Sequence, residues 1–158
     1  MNRLFQISIV IISLTNLLNS QSYFISKYRT ENGLSANYIN FTFKSSDGFL
    51  WVSTQNGVNR FDGNTFKNYL YKENDSLSIG SNSIKKIVES SAKELIFLHD
   101  KGYSILQKST NTFSQVDAKM LTLRKGEVIK NISQYEENIF ALITNYRLLL
   151  FDDKNYKI

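Results

Sequence analysis

The chain has 158 residues, of which 42% are hydrophobic, 13% aromatic and 21% charged. This composition excludes a disordered chain and a multi-span membrane protein. The net charge of +5 comes from lysines scattered among acidic residues, without the basic stripe that follows a phosphate backbone, so no nucleic acid partner is predicted. Having no cysteine and one histidine, the chain cannot form disulfides, cysteine-ligated zinc sites or histidine-rich metal centres, and no cofactor is predicted.

The first twenty residues have the pattern of an export signal. Met1–Arg3 form a short positive start, and an apolar run extends from Leu4 to Leu18. The run is shorter than the ~20 residues that cross a bilayer and fits the central region of a secretory signal peptide, with the small Ser20 at the cleavage edge. Residues 1–20 are therefore predicted to be a signal peptide. An uncleaved anchor helix is the alternative, and both readings place the rest of the chain outside the cytoplasm, on the periplasmic face of the cell envelope.

From residue 38 onward the sequence has the two-residue alternation of β-strands. Ile39, Phe41 and Phe43 alternate with polar residues, and three more short apolar runs follow. Asp-Gly or Asn-Gly pairs separate the runs, and these pairs favour tight turns because Gly adopts positive φ freely while Asp and Asn tolerate it. The pattern predicts a four-stranded antiparallel meander. Its strands are Tyr38–Lys44, Phe49–Thr54, Val58–Phe61 and Thr65–Leu70.

This unit repeats with a period close to 45 residues. Aligning Asn82 with Asn37 brings Gly102 onto Gly57. A third, fainter copy lies at a shift of 89 to 90 residues from the first. It places Phe151 on Phe61, and it places Ile139–Phe140 on Leu95–Ile96 of the second copy. Four strands in ~40 to 50 residues are typical of a β-propeller blade, so the predicted fold class is all-β with propeller blades.

The repeat divides the chain into five predicted parts. Residues 1–20 are the signal peptide. Residues 21–36 are predicted to form an orphan outer strand that would close a ring, followed by a linker. This strand is predicted because residues 23–37 resemble residues 65–82, which include the outer strand of blade 1. Residues 37–76 form blade 1, residues 77–120 blade 2 and residues 121–158 part of a third. Roughly two and two-thirds blades cannot close a ring of ~4 to 8, so the chain is expected to be an amino-terminal fragment. A short open array capped by a partner is the alternative.

Residues Leu34–Tyr69 resemble the two-component regulator propeller repeat. The family pattern contains an Asp-Gly turn, an apolar-Trp-apolar strand ending near Thr, and a Gly-x-Asn-Arg-aromatic-Asp-Gly segment. Blade 2 departs from this pattern and blade 3 departs further. The matching structural motif residues include Asp47, Gly48, Trp51, Thr54, Gly57, Asn59, Arg60, Asp62 and Gly63.

This resemblance implies the periplasmic sensor region of a bacterial sensor histidine kinase or hybrid two-component regulator. Such proteins carry two seven-bladed propellers, a β-sandwich, a membrane helix and cytoplasmic signalling modules. The implied parent is membrane-anchored and homodimeric, and the partners of this segment are its remaining blades. The implied ligands are oligosaccharides released from complex glycans. A propeller sensor coupled to a DNA-binding output domain is one alternative.

The sequence contains no catalytic constellation, so this chain is not predicted to be an enzyme. The turn at Asp47 is similar to the Asp-box of sialidase-type propellers, and a fragment of a sialidase- or lyase-type propeller enzyme is a second alternative. Turn chemistry favours a structural reading, in which Asp47 caps a hairpin and Trp51 packs between blades. His99 is read as a loop or edge residue, and the acidic pairs at 136–137 and 152–153 as solvated. Two loops are candidate ligand-facing segments, without a residue singled out. They are Arg29–Asn37 and Tyr71–Ser83.

Overall fold

The computed structural model describes residues 24–137 and 139–152, and these residues form three antiparallel sheets with two short 3-10 turns, Thr30–Asn32 and Ala118–Leu121. Sheet I contains β1 (Ile39–Lys44), β2 (Leu50–Thr54), β3 (Gly57–Phe61) and β4 (Phe66–Tyr69). Sheet II contains β5 (Ile84–Glu89), β6 (Leu95–His99), β7 (Gly102–Gln107) and β8 (Thr112–Asp117). Sheet III contains β9 (Ile129–Glu136), β10 (Ile139–Thr144) and β11 (Leu148–Asp152). Each strand pairs with the next along the chain, so the predicted all-β class and four-stranded antiparallel meander are confirmed.

The hairpin turns form where the Gly pairs predicted them. Gly48 and Gly57 have φ of 92° and 85°, in the left-handed region that side chains other than Gly avoid. The turn after β3 is closed by Asp62, whose Oδ1 accepts hydrogen bonds from the backbone N–H groups of Asn64 (2.8 Å) and Thr65 (2.7 Å). These bonds lower the pKa of Asp62 because they stabilise its ionised form.

The three sheets share one register at a spacing of 45 residues. Ile39 pairs with Thr54 in sheet I, and Ile84 pairs with His99 in sheet II at positions 45 residues later. In sheet III, Ile129 and Thr144 pair at the same positions after a further 45 residues. Each sheet also carries its register irregularity immediately after this pair. The spatial repeat therefore follows the sequence repeat.

The predicted alignment of the third copy is wrong by one residue at Ile139–Phe140. Phe140 pairs with Phe151 as Leu95 pairs with Leu106, so Phe140 is the equivalent of Leu95. A slip of one residue would turn every side chain of the strand to the opposite face. Burial decides the register, because Phe140 is fully buried whereas Ile139 is partly exposed.

The hydrophobic core consists of two layers, one on each side of sheet II. The layer between sheets I and II contains Trp51, Tyr69 and Phe97, and the layer between sheets II and III contains Phe140 and Phe151. Strand β6 is buried at all five positions, since both faces of its sheet are covered. The continuous apolar sequence of β6 is therefore explained by the packing of sheets I and III on the two faces of sheet II.

Residues 24–36 are the described part of the predicted outer strand and linker. Residues 24–29 belong to no strand, and the Thr30–Asn32 turn follows them. A strand needs a neighbour to pair its backbone groups, and none of the described strands lies beside this segment in a sheet. Tyr28 instead packs edge-on against Phe61 (4.8 Å) and Phe66 (5.6 Å). The predicted signal peptide lies outside the described residues. Within those residues, no helix has the length and apolarity to cross a bilayer.

Two glycine substitutions separate backbone strain from collision at the hairpin turns. A methyl group at Gly48 would meet no atom within 4 Å, whereas one at Gly102 would collide with the backbone carbonyl oxygen of Val116. We expect Gly48→Ala to lower the free energy of unfolding by about 1 kcal/mol through its positive φ alone. Gly102→Ala should cost at least ~2 kcal/mol more, because the backbone of β8 must move. Urea unfolding measures both, and equal losses would contradict the close approach.

Candidate functional site

Sheets I and II are tied together by charged groups at the edge where β1 turns into β2. Lys108 of sheet II lies 3.0 Å from the carboxylate of Asp47 and 3.5 Å from that of Glu89. Glu89 accepts hydrogen bonds from the backbone N–H (2.7 Å) and hydroxyl (2.8 Å) of Ser46. Partial burial alone would raise the pKa of Asp47, but the hydrogen bonds from Ser45 and Lys108 outweigh this effect and lower it. Asp47 therefore joins its own hairpin turn to the neighbouring sheet.

Trp51 fills the space between the same two sheets. Its side chain is 1% exposed, and its ring stacks on Tyr69 at 5.6 Å and meets Phe97 of sheet II edge-on at 5.3 Å. The indole N–H donates to the hydroxyl oxygen of Ser45 at 3.2 Å, so its polar atom is satisfied in the core. The guanidinium of Arg60, beside Trp51 on the adjacent strand, lies 4.4 Å from the centre of the Phe49 ring.

The opposite edge of sheet I carries a buried group that we call the polar lock, formed by Ser35, Thr54 and Asn59. Asn59 accepts a hydrogen bond from the backbone N–H of Ser35 (2.8 Å) and donates to the carbonyl of Val52 (2.9 Å). The hydroxyls of Ser35 and Thr54 are 2.8 Å apart. The lock fixes the incoming chain to the second and third strands of the sheet, with no buried polar atom of Asn59 left unpaired.

Sheet II builds the lock from different residues at the same positions. Gly80 replaces Ser35, His99 replaces Thr54 and Ser104 replaces Asn59, each 45 residues later. The hydroxyl of Ser104 accepts from the N–H of Gly80 (3.0 Å) and lies 3.0 Å from Nε2 of His99. A methyl group at Gly80 would come within 2.8 Å of that nitrogen. The larger ring at position 99 is therefore accommodated by smaller residues at the other two positions.

Sheet III uses an ion pair at the same edge. Thr144, the equivalent of Thr54, donates to Glu127 at 2.7 Å, and Arg147 binds the same carboxylate at 2.9 and 3.1 Å. The hydrogen bond from Arg147 is the largest cause that lowers the pKa of Glu127 to about 2. Each of the three sheets thus uses a different set of side chains to hold the segment that precedes its first strand.

Other residues considered from the sequence lie apart from these groups. Glu136 and Glu137 are exposed at the end of β9, and Asp153 lies outside the described residues. Across residues 24–137 and 139–152, no group of three or more His, Asp or Glu side chains is placed to hold a metal. His99, expected in a loop or at an edge, is 2% exposed, so the expectation of an edge residue is wrong. The alignment of His99 with Thr54 at a shift of 45 residues is the sequence signal that could have identified this buried position.

The two candidate ligand-facing loops both reach the edge of the sheets that carries the polar locks. The Tyr71–Ser83 loop is held there by Asn82, whose carbonyl accepts from Gly57 N–H (3.0 Å) and whose Oδ1 accepts from Tyr71 N–H (2.8 Å). Lys101 lies 4.5 Å from the ring centre of Tyr71. The start of the Arg29–Asn37 loop borders a cavity of about 440 Å³. The Tyr71–Ser83 loop is therefore anchored to a hairpin end through Asn82, and the Arg29–Asn37 loop is anchored through Ser35 of the polar lock.

Structural comparison identifies solved structures with the same fold. Two crystal structures of the extracellular domain of BT4673 from Bacteroides thetaiotaomicron align with TM-scores of 0.67 and 0.65 at 18% and 19% sequence identity. They cover 89% and 84% of this chain, and 19% and 18% of their own chains. One is described as a one-component system and the other as a hybrid two-component system. The chain has the fold of part of this extracellular domain.

One protein also resembles part of this chain in sequence. "Histidine kinase P4" of Formosa agariphila is 40% identical over 65 residues, which are 40% of this chain and 5% of that protein. The chain thus spans a small fraction of the curated relative that it matches. No protein-family model matches the chain. The resemblance to two-component sensor proteins, inferred from residues 34–69, is confirmed by these likenesses.

The buried His99 predicts a pH-dependent stability. Burial lowers its pKa to about 4 in the folded chain, whereas the unfolded value is ~6.5. The folded state therefore binds fewer protons between these values, so its stability is complete above pH ~6.5 and falls as the pH approaches 4, by about 3 kcal/mol in total. Urea unfolding at pH 7 and pH 4.5 measures the loss.

The matched variant is His99→Thr, because Thr occupies the equivalent positions 54 and 144. This variant removes the titrating ring, so it should lose less stability between pH 7 and pH 4.5 than the parent chain, whatever its stability at pH 7. An unchanged pH dependence in His99→Thr would assign the effect to carboxylates instead.

Proposed function

We propose that sheets I, II and III are consecutive blades of a β-propeller, and that the chain is the amino-terminal part of an extracytoplasmic ligand-sensing propeller in a two-component signalling protein. The observation that carries the proposal is the common register at 45-residue spacing in sheets that pack face to face. A propeller repeats a four-stranded unit in this way. The likeness to the BT4673 extracellular domain supports the same reading.

In this proposal, the blade boundaries are 37–76, 77–120 and 121–158, and residues 21–36 carry the strand that completes the final blade of the ring. The absence of a described partner strand beside residues 24–29 agrees with a partner supplied by later blades. The apolar Phe24 and Ile25 are 94% and 78% exposed, and pairing with a neighbouring sheet would cover them. The motif residues, from Asp47 to Gly63, serve blade construction and not catalysis.

The ligand class proposed is an oligosaccharide derived from complex glycans. The ligand-facing segments are the Arg29–Asn37 and Tyr71–Ser83 loops, and the first of them, with the preceding Tyr28, lines the cavity of about 440 Å³ through Arg29 and Asn37. Aromatic faces and amide or guanidinium donors are suited to the apolar faces and hydroxyls of sugars. The ligand signals by binding one packing arrangement of the rigid domains more tightly than the other, in a membrane-anchored homodimer.

The proposal is tested on the complete extracytoplasmic region of the gene product that contains this segment. Electron microscopy should show closed rings, and calorimetric titration with a panel of glycan oligosaccharides should show saturable binding by at least one. Replacement of Arg29 by Ala should weaken that binding without lowering the thermal midpoint by more than a few degrees, since Arg29 lines the cavity and is exposed. Open arrays, or hydrolysis of the oligosaccharides without stable binding, would contradict the sensor proposal.

The export signal predicts a separate outcome. Residues 1–36 fused to alkaline phosphatase, which is active only outside the cytoplasm, should give phosphatase activity in cells. Deletion of residues 4–18 should abolish the activity, because the apolar run is the part recognised for export. Equal activity of the two fusions would contradict a signal in this segment.

A further inference from the structure

A small cavity lies between sheets I and II at the edge that carries the Asp47 turn. Its volume is about 190 Å³. Phe49 and Trp51 supply aromatic walls, and the guanidinium of Arg60 and the carboxamide of Asn111 supply polar groups. The cavity shares no lining residue with the cavity at the start of the Arg29–Asn37 loop.

Arg60 has an unsatisfied donor at this cavity. Its Nε atom is buried and has no hydrogen-bond partner among residues 24–137 and 139–152, and no described carboxylate forms an ion pair with it. A buried donor without an acceptor is destabilising, so an acceptor at this position would be bound favourably. The position of Arg60 over the Phe49 ring holds the guanidinium in place before a ligand arrives.

Asn111 adds a second donor group. It has a positive φ of 61°, and its Oδ1 accepts a hydrogen bond from the hydroxyl of Tyr69 at 2.5 Å. The NH₂ group of the same carboxamide is therefore available to another acceptor. A guanidinium and a primary amide together favour a carboxylate, which has two oxygens and several lone pairs.

The rim of the cavity carries charged groups. The carboxylates of Asp47 and Glu89 both lie near the ammonium group of Lys108. Asp47 retains acceptor capacity for a hydroxyl group. Arg60 inside the cavity forms no ion pair with a described carboxylate, so the carboxylate of a ligand would be drawn to Arg60 and its hydroxyl to Asp47 at the rim.

The chemistry of the cavity is not required for packing one sheet on the next. Trp51 pairs with Arg60 across β2 and β3, and at the equivalent positions of sheet II Ile96 pairs with Ile105. Ile96 and Ile105 are buried against sheet III. Two aliphatic side chains thus perform the packing role at these positions, so the polar cavity is a property of the first interface.

We propose that the cavity between sheets I and II binds a small hydroxycarboxylate, with its carboxylate on Arg60 and Asn111, its hydroxyl at Asp47 and its carbon atoms against Phe49 and Trp51. The volume limits the ligand to a few heavy atoms, below the range of drug-sized pockets. This proposal does not depend on the propeller assignment, because every group it uses lies in sheets I and II.

The test uses the fluorescence of Trp51, which is the single tryptophan of the chain. The full chain is titrated with lactate to about 50 mM, which is ~50 times a 1 mM dissociation constant, at constant ionic strength. Glycerol serves as the neutral probe and acetate as the carboxylate without a hydroxyl. We expect a saturable change with lactate, a weaker response to acetate and none to glycerol. A linear response, or none, to lactate would overturn the proposal.

Two variants separate binding from folding. Arg60→Ile copies the residue at the equivalent position of sheet II, and it should weaken lactate binding at least about tenfold by removing charge-assisted hydrogen bonds. Asn111→Asp tolerates the positive φ and keeps an acceptor for Tyr69, but its charge should repel the carboxylate. Circular dichroism and the thermal midpoint check the fold of both. Lactate binding unchanged in either folded variant would also overturn the proposal.

Discussion

The burial of aromatic and aliphatic side chains between successive sheets is the interaction on which the rest of this structure depends. A small meander has too little apolar area on one face to offset its loss of conformational entropy. Here Trp51 of one sheet meets Phe97 of the next, and Tyr103 of that sheet stacks on Phe151 of the third at 5.6 Å. Stability therefore accumulates between neighbours, as in repeat proteins, and the polar groups act within a geometry that packing has already set.

The parts of the fold that could be predicted from the sequence are those with local causes. Alternation of apolar residues and the Asp-Gly and Asn-Gly pairs identify the strands and turns of sheet I, because strand periodicity and positive φ are properties of short segments. The period of 45 residues could be predicted because equivalent strands carry similar residues. The one-residue error at Ile139 arose where the third copy is faint, and burial of Phe140, which is a tertiary property, decides it.

The contacts between sheets I and II that escaped prediction join residues distant in sequence. Glu89 accepts from Ser46, 43 residues earlier, and Lys108 reaches back 61 residues to Asp47. No local pattern reports such contacts. The outer strand predicted within residues 21–36 depends in the same way on a partner strand distant in sequence, and it stays a prediction. Alignment of the repeats at a shift of 45 does pair His99 with Thr54, so this buried position was within reach of sequence reasoning.

The polar locks explain why the repeat is weak in sequence and strong in structure. Each sheet must hold the chain segment that enters it, and the task is met by Ser-Thr-Asn, by Gly-His-Ser or by an ion pair. The pairing of Gly80 with His99 couples these two positions in evolution. A Cβ atom at position 80 would lie 2.8 Å from the imidazole, so one of the two groups would have to shift. Divergence between repeats is thus epistatic, because the effect of a substitution at one position depends on the residue at the other.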